Sequence, residues 1–175
     1  MSLPHVILGF LQQQARTGYD LKNICFEQAL SHLWSADQAQ IYRSLDKLVT
    51  QGWVTCQIEI QHDRPNRKVY SVTETGRAEL LRWLQESQPL PTIRDPLLAQ
   101  LFFAACLPNE AIAHLLQQQL EAHQKQLEAC DAIGAIPQPE LSGREQQMHH
   151  LALELVKKRE QAYIDGLRIA MKTLQ

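Results

Sequence analysis

At Gly52 the spacing of the apolar residues changes from that of a helix to that of a strand. Before it, in SADQAQIYRSLDKLVTQGWV, Ile41, Leu45, Leu48 and Val49 recur at i, i+4, i+7 and i+8, which is one face of a helix. After it, Val54, Cys56, Ile58 and Ile60 alternate with Thr55, Gln57 and Glu59, which is one face of a strand. A glycine suits the junction because it takes the left-handed conformation that closes a helix. A second strand-like run, KVYSV, follows the turn-forming QHDRPN. The chain is thus expected to leave a helix and enter a hairpin at once, with one face of the hairpin buried.

Two helices are expected upstream. Pro4 suits the first turn of a helix running to about Gln14, with Val6, Ile7, Phe10 and Leu11 as its apolar stripe. Thr17, with Asp20 three residues on, opens a second that buries Leu21, Ile24 and Cys25. Ser35, with Gln38 as its reciprocal partner, is expected to cap the third. Thr73 caps a fourth in TETGRAELLRWLQE.

Pro89, Pro91 and Pro96 then crowd together, so no helix crosses this segment. The expected organisation is a first domain over 1–87, a linker over 88–95 and a second domain over 96–175. The second half carries no strand pattern. It reads as a short apolar helix, PLLAQLFFAACL, and two long ones. One runs from Pro108 to Gly134, and the other opens at a Ser142/Glu145 capping box, with Pro137 and Pro139 between them. The fold class is mainly α: a winged helix-turn-helix domain with a two-stranded wing, followed by an all-helical domain.

The formal net charge is −2, which argues against a globally basic nucleic-acid binder and leaves room for a local patch. Residues 1–86 hold nine Lys and Arg against nine Asp and Glu, so no half is strongly basic. The apolar VILGFL is too short to span a bilayer and has no charged leader, so neither a signal peptide nor an anchor is expected and the location is expected to be cytoplasmic. Cys25, Cys56, Cys106 and Cys130 are scattered with no C-x-x-C pair, and are expected to be buried reduced thiols rather than metal ligands or disulfides. No G-x-S-x-G, H-E-x-x-H or phosphate-cradling loop occurs, so neither an enzyme nor a cofactor is expected.

The positive charge that matters lies on the third helix and on the hairpin tip. Opposite the apolar stripe stand Ala39, Gln40, Arg43, Lys47 and Thr50. This face has a small residue, an amide, two cations and a hydroxyl, and no large apolar group. Such a face can enter a major groove and meet phosphates and base edges, though it also suits plain solvation. The tip adds Arg64, Asn66, Arg67 and Lys68. Three helices followed by a hairpin with a basic tip is the order of a winged helix that reads double-stranded DNA. The alternative is a winged helix that docks on protein without reading DNA.

Four blocks make this more specific. ILGFLQQQARTGYDLKN, QIYRSLDKLVTQGWV, RPNRKVYSVTETGRAEL and RDPLLAQLFFA resemble, in order and spacing, the successive signature blocks of the PadR family of transcriptional regulators. The resemblance spans residues 7 to about 105, and the two long helices match the layout of the longer subfamily. It implies a homodimeric repressor whose C-terminal helices form most of the dimer interface. It implies that Gln40, Tyr42, Arg43 and Lys47 face DNA, with Arg64 to Lys68 as the wing. It also implies regulation by a small-molecule effector, for which Trp34, Trp83, Phe102 and Phe103 are candidate pocket residues. Met148, Leu151, Leu155, Tyr163, Leu167, Met171 and Leu174 recur at helical spacing on the last helix and form the expected dimer seam.

Overall fold

The computed structural model describes residues 3–31, 33–60, 66–135 and 141–174. The chain divides into two units, Met1–Leu90 and Pro91–Gln175.

The first unit contains α1 (Leu3–Gln13), a short strand β1 (Arg16–Thr17), α2 (Gly18–Asp20), α3 (Gln38–Thr50), the hairpin strands β2 (Val54–Glu59) and β3 (Arg67–Val72), and α4 (Glu74–Gln85). From Leu21 to Ala29, α2 continues as a π-helical segment, which ends with Leu30 N–H donating to Cys25 O at 2.8 Å. The three strands form an antiparallel sheet in the order β1-β3-β2. Ile7, Leu8, Leu21, Ile41, Leu45 and Leu48 are fully buried and make the centre of the core, with Val54 and Tyr70 at its sheet side. Gly52 ends α3 at φ +72°, the left-handed conformation that a Cβ disfavours.

Several expectations change: Ile24 is 45% exposed rather than on the buried face of the second helix, and Cys56 and Cys106 are exposed rather than buried thiols. The cap of α3 is Asp37 with Gln40, not Ser35 with Gln38. Lys22 Nζ donates to Ala36 O at 3.2 Å, tying the connector to the π segment just before the cap. Val49 is exposed rather than part of the buried stripe. On β2 only Val54 is buried; Cys56, Ile58 and Ile60 alternate as expected but stand on a hairpin that reaches past the core. β1 and the π turns have no counterpart in the sequence pattern.

The second unit contains α5 (Pro96–Phe103), a 3₁₀ turn (Ala104–Cys106), α6 (Asn109–Gly134) and α7 (Gly143–Thr173). Asp95 caps α5, with Leu98 N–H donating to its carboxylate. Ser142 and Glu145 form the capping box of α7. Contacts at Asn109–Leu174, His123–Glu160 and Asp131–Lys157 run in opposite directions along the two long helices, so α6 and α7 lie antiparallel. Leu97, Leu116, Leu120, Ile164 and Leu167 form their core. Pro137 and Pro139 lie outside the described residues. Cys25 and Cys130 are buried, whereas Cys56 and Cys106 are exposed; all four are free.

Candidate nucleic-acid interface

α3 is amphipathic, and its buried residues Ile41, Leu45 and Leu48 set which side chains turn outward. Gln40, Arg43 and Lys47 are all exposed. Among the described residues neither cation has an ion-pair or hydrogen-bond partner. Gln40 differs. Its backbone N–H donates to Asp37 Oδ1 at 2.7 Å, while Asp37 N–H donates to Gln40 Oε1 at 3.1 Å. This reciprocal box satisfies two of the amides that a helix N-terminus leaves unpaired. Thr50 turns its hydroxyl back to Asp46 O, which removes its donor from the outward face.

Tyr42 is only half-buried, and its ring covers Gly18 at the start of α2. A Cβ built on Gly18 would lie 2.6 Å from that ring, so any larger residue there would push the Tyr42 ring aside. Tyr42 therefore braces the two helices.

The hairpin register sorts the basic residues of the wing. Glu59 pairs opposite Arg67, and Ile58 opposite Lys68. Directly opposed residues share a face, so Arg67 and Lys68 point to opposite sides of the hairpin. Arg67 Nη2 lies 3.6 Å from Asp20 Oδ2, and Asp20 also accepts from Thr17 Oγ1 at 2.8 Å in the capping box of α2. Lys68 is exposed, with no ion-pair partner among the described residues. Asn66 is exposed beside them, and Arg64 lies outside the described residues. The structure thus brings Gln40, Arg43 and Lys47 onto one helix face and splits the wing cations between two faces. Sequence reasoning missed the Asp20–Arg67 pair, because it links residues far apart in the chain. It also missed Tyr19, which is 68% exposed at the start of α2.

The remaining candidates fall as follows. Trp34 and Trp83 pack against the first core, and Trp83 stacks on His5 with ring centroids 5.1 Å apart. In the second unit Phe102 and Phe103 are exposed. Phe103 lines a mostly apolar hollow of about 470 Å³ with Ala99, Ala104, Leu107 and Leu115. On α7 the seven seam candidates divide. Tyr163, Leu167, Met171 and Leu174 pack on their own chain, whereas Met148, Leu151 and Leu155 are exposed. Tyr163 stacks on His123 and donates to Asp95, which holds the Asp95 carboxyl below its usual range. Among the described residues no helix is long and apolar enough to cross a membrane, and no group of three His, Cys, Asp or Glu could hold a metal ion.

Known proteins match both units. The model of the transcriptional regulator PadR-like family covers residues 7–82, and that of the virulence activator alpha C-terminal domain covers 93–175. The negative transcriptional regulator PadR of Bacillus subtilis is 31% identical over 170 residues, which are 94% of this chain and 93% of that protein. The crystal structure of Bacillus subtilis PadR in complex with operator DNA aligns with a TM-score of 0.84 at 28% identity, covering 100% of each chain. The crystal structure of the same protein in complex with p-coumaric acid gives a TM-score of 0.80 at 28% identity, covering 99% of each.

Proposed function

We propose that this chain, which belongs to the PadR-like family of transcriptional regulators, is a homodimeric repressor that reads operator DNA through α3 and steadies it with the wing. The observation that carries this reading is the outward face of α3. Gln40, Arg43 and Lys47 stand there exposed, on a scaffold shared with a protein crystallised on its operator. Two cations and an amide on one exposed face can meet phosphates and base edges together. The protein then works in the cytoplasm, and its partners are duplex DNA, a second copy and an effector.

Two copies are needed because one winged helix touches DNA at few points. A rigid pair presents two recognition helices to half-sites about one DNA turn apart. The exposed Met148, Leu151 and Leu155 on α7 are the residues we assign to the seam; Tyr163, Leu167, Met171 and Leu174 support them from within the protomer. The effector reading follows from the relative crystallised with p-coumaric acid, and a small aromatic acid of that kind is the first ligand to try. Of the four aromatic candidates, Phe103 is the one that lines an apolar surface hollow, with Ala99, Leu107 and Leu115.

A second reading, docking on a protein partner, is favoured by the exposed Ile58 on β2 and Ile60 just past its end. A duplex titration separates the two. As a DNA reader the chain loses affinity steeply as salt rises. Arg43→Ala/Lys47→Ala should then weaken specific binding by about 1–3 kcal/mol for each side chain that pairs with a base edge. A folded double variant with unchanged affinity would overturn the role of α3.

A further inference from the structure

We propose that Gln40 reads DNA as a hydrogen-bond donor, through its amide NH₂ to a purine N7, because its amide oxygen belongs to the helix cap. The proposal rests on the reading that α3 faces the major groove. The geometry behind it is local. Asp37 N–H can only donate, so the Gln40 atom 3.1 Å from it is the oxygen, whichever way the amide is drawn. The return bond, Gln40 N–H to Asp37 Oδ1 at 2.7 Å, locks the same two residues at the first turn. The NH₂ group has no partner among the described residues. Gln40 thus reaches DNA with one end fixed and two N–H donors uncommitted.

This narrows what Gln40 can recognise. A glutamine that reads adenine bidentately accepts from N6 and donates to N7. Here adenine N6–H₂ would have to share the oxygen with Asp37 N–H, and displacing that bond would leave the Asp37 amide without its cap. Donation to N7 needs no such exchange. N7 is present on both purines in the major groove, so Gln40 selects purine over pyrimidine and leaves the choice between guanine and adenine to other side chains, such as Arg43. The cap and the reading are then one device: Asp37 acts on DNA only by holding Gln40, as a positioning residue.

The experiment is a mutant cycle across the interface, using the tightest duplex recovered by selection from a random library. Gln40→Glu keeps an acceptor for Asp37 N–H, so the capping box and the melting temperature should stand, while the NH₂ donors disappear. Its added charge weakens all duplexes alike and cancels in the cycle. Each purine is replaced in turn by its 7-deaza form, and each adenine by purine lacking the amino group. With the wild-type protein, one 7-deaza position per half-site should cost roughly 3–10-fold, the size of one side-chain hydrogen bond. With Gln40→Glu that same position should cost nothing. Removal of adenine amino groups should show no coupling to residue 40. Specific binding in which no N7 couples to residue 40, or in which an adenine amino group does, overturns the proposal while leaving the regulator reading intact. No salt-dependent binding of any duplex by the wild-type protein overturns both.

Discussion

Leu155→Ala should split the dimer without unfolding the protomer. Leu155 is 73% exposed, midway along a helix whose next residue, Val156, is buried. Complete burial of a leucine contributes about 2 kcal/mol, so the exposed three-quarters holds about 1.5 kcal/mol in reserve for a partner. A twofold interface contains the residue twice, and truncation to alanine removes most of the side chain. The cost is therefore up to about 3 kcal/mol of dimer, or a roughly 100-fold rise in the dimer Kd. Folding of the single protomer should shift by less than about 0.5 kcal/mol, since the side chain buries little there. Sedimentation equilibrium over a dilution series measures the first quantity, and thermal unfolding in the monomeric range measures the second. A dimer Kd within threefold of wild type would show that the seam runs elsewhere on the second unit. A large loss of protomer stability would show that Leu155 packs within its own chain instead.

The basic residues Arg67 and Lys68 of the hairpin stand on two faces. Lys68→Gln should flatten the plot of log affinity against log salt by roughly one unit, and Arg67→Gln by clearly less, because Asp20 already partners Arg67; equal slope changes would contradict the register argument. Glu79 makes the first unit acid-sensitive. Hydrogen bonds from Arg82, and then from His5 at 2.9 Å, pull its pKa down to about 2 from an ordinary 4.5. Its contribution is therefore complete above pH 4.5 and is lost as pH falls from 4.5 towards 2. Thermal melts across that window should fall less steeply in Glu79→Gln than in wild type, and parallel curves would remove Glu79 from the account.

Much of the fold was legible because the features that decide it are local. The change of period at Gly52, the capping boxes at Thr17/Asp20 and Ser142/Glu145, and the prolines before α5 each act within a few residues. What escaped depends on distance. Ser35 and Asp37 are both good caps, and Asp37 is the one that forms the box, beside an Ala36 held from the π segment by Lys22. The strand β1 is two residues long, too short for any period, and exists because β3 pairs with it. The alternation on β2 was real, but burial of Ile58 needs a surface that the first unit does not extend that far. The outward face of α3 was legible from the wheel alone. Its finer state was legible only in part: Asp37 and Gln40 stand at capping-box spacing, whereas Tyr42 braces Gly18 and Arg67 leans on Asp20 through partners that spacing could not identify. On α7 the apolar stripe was visible, but only packing against α6 separates Leu167, which is buried, from Leu155, which is not.

The central claim is that two copies of this chain place two α3 helices on one operator. Genome-wide capture of bound DNA, followed by footprinting of the best site, tests it most directly. The account predicts a protected region with inverted half-sites about one helical turn apart, centre to centre, and its loss in Arg43→Ala/Lys47→Ala. A single unsymmetric half-site, or protection that the double variant retains, would contradict it.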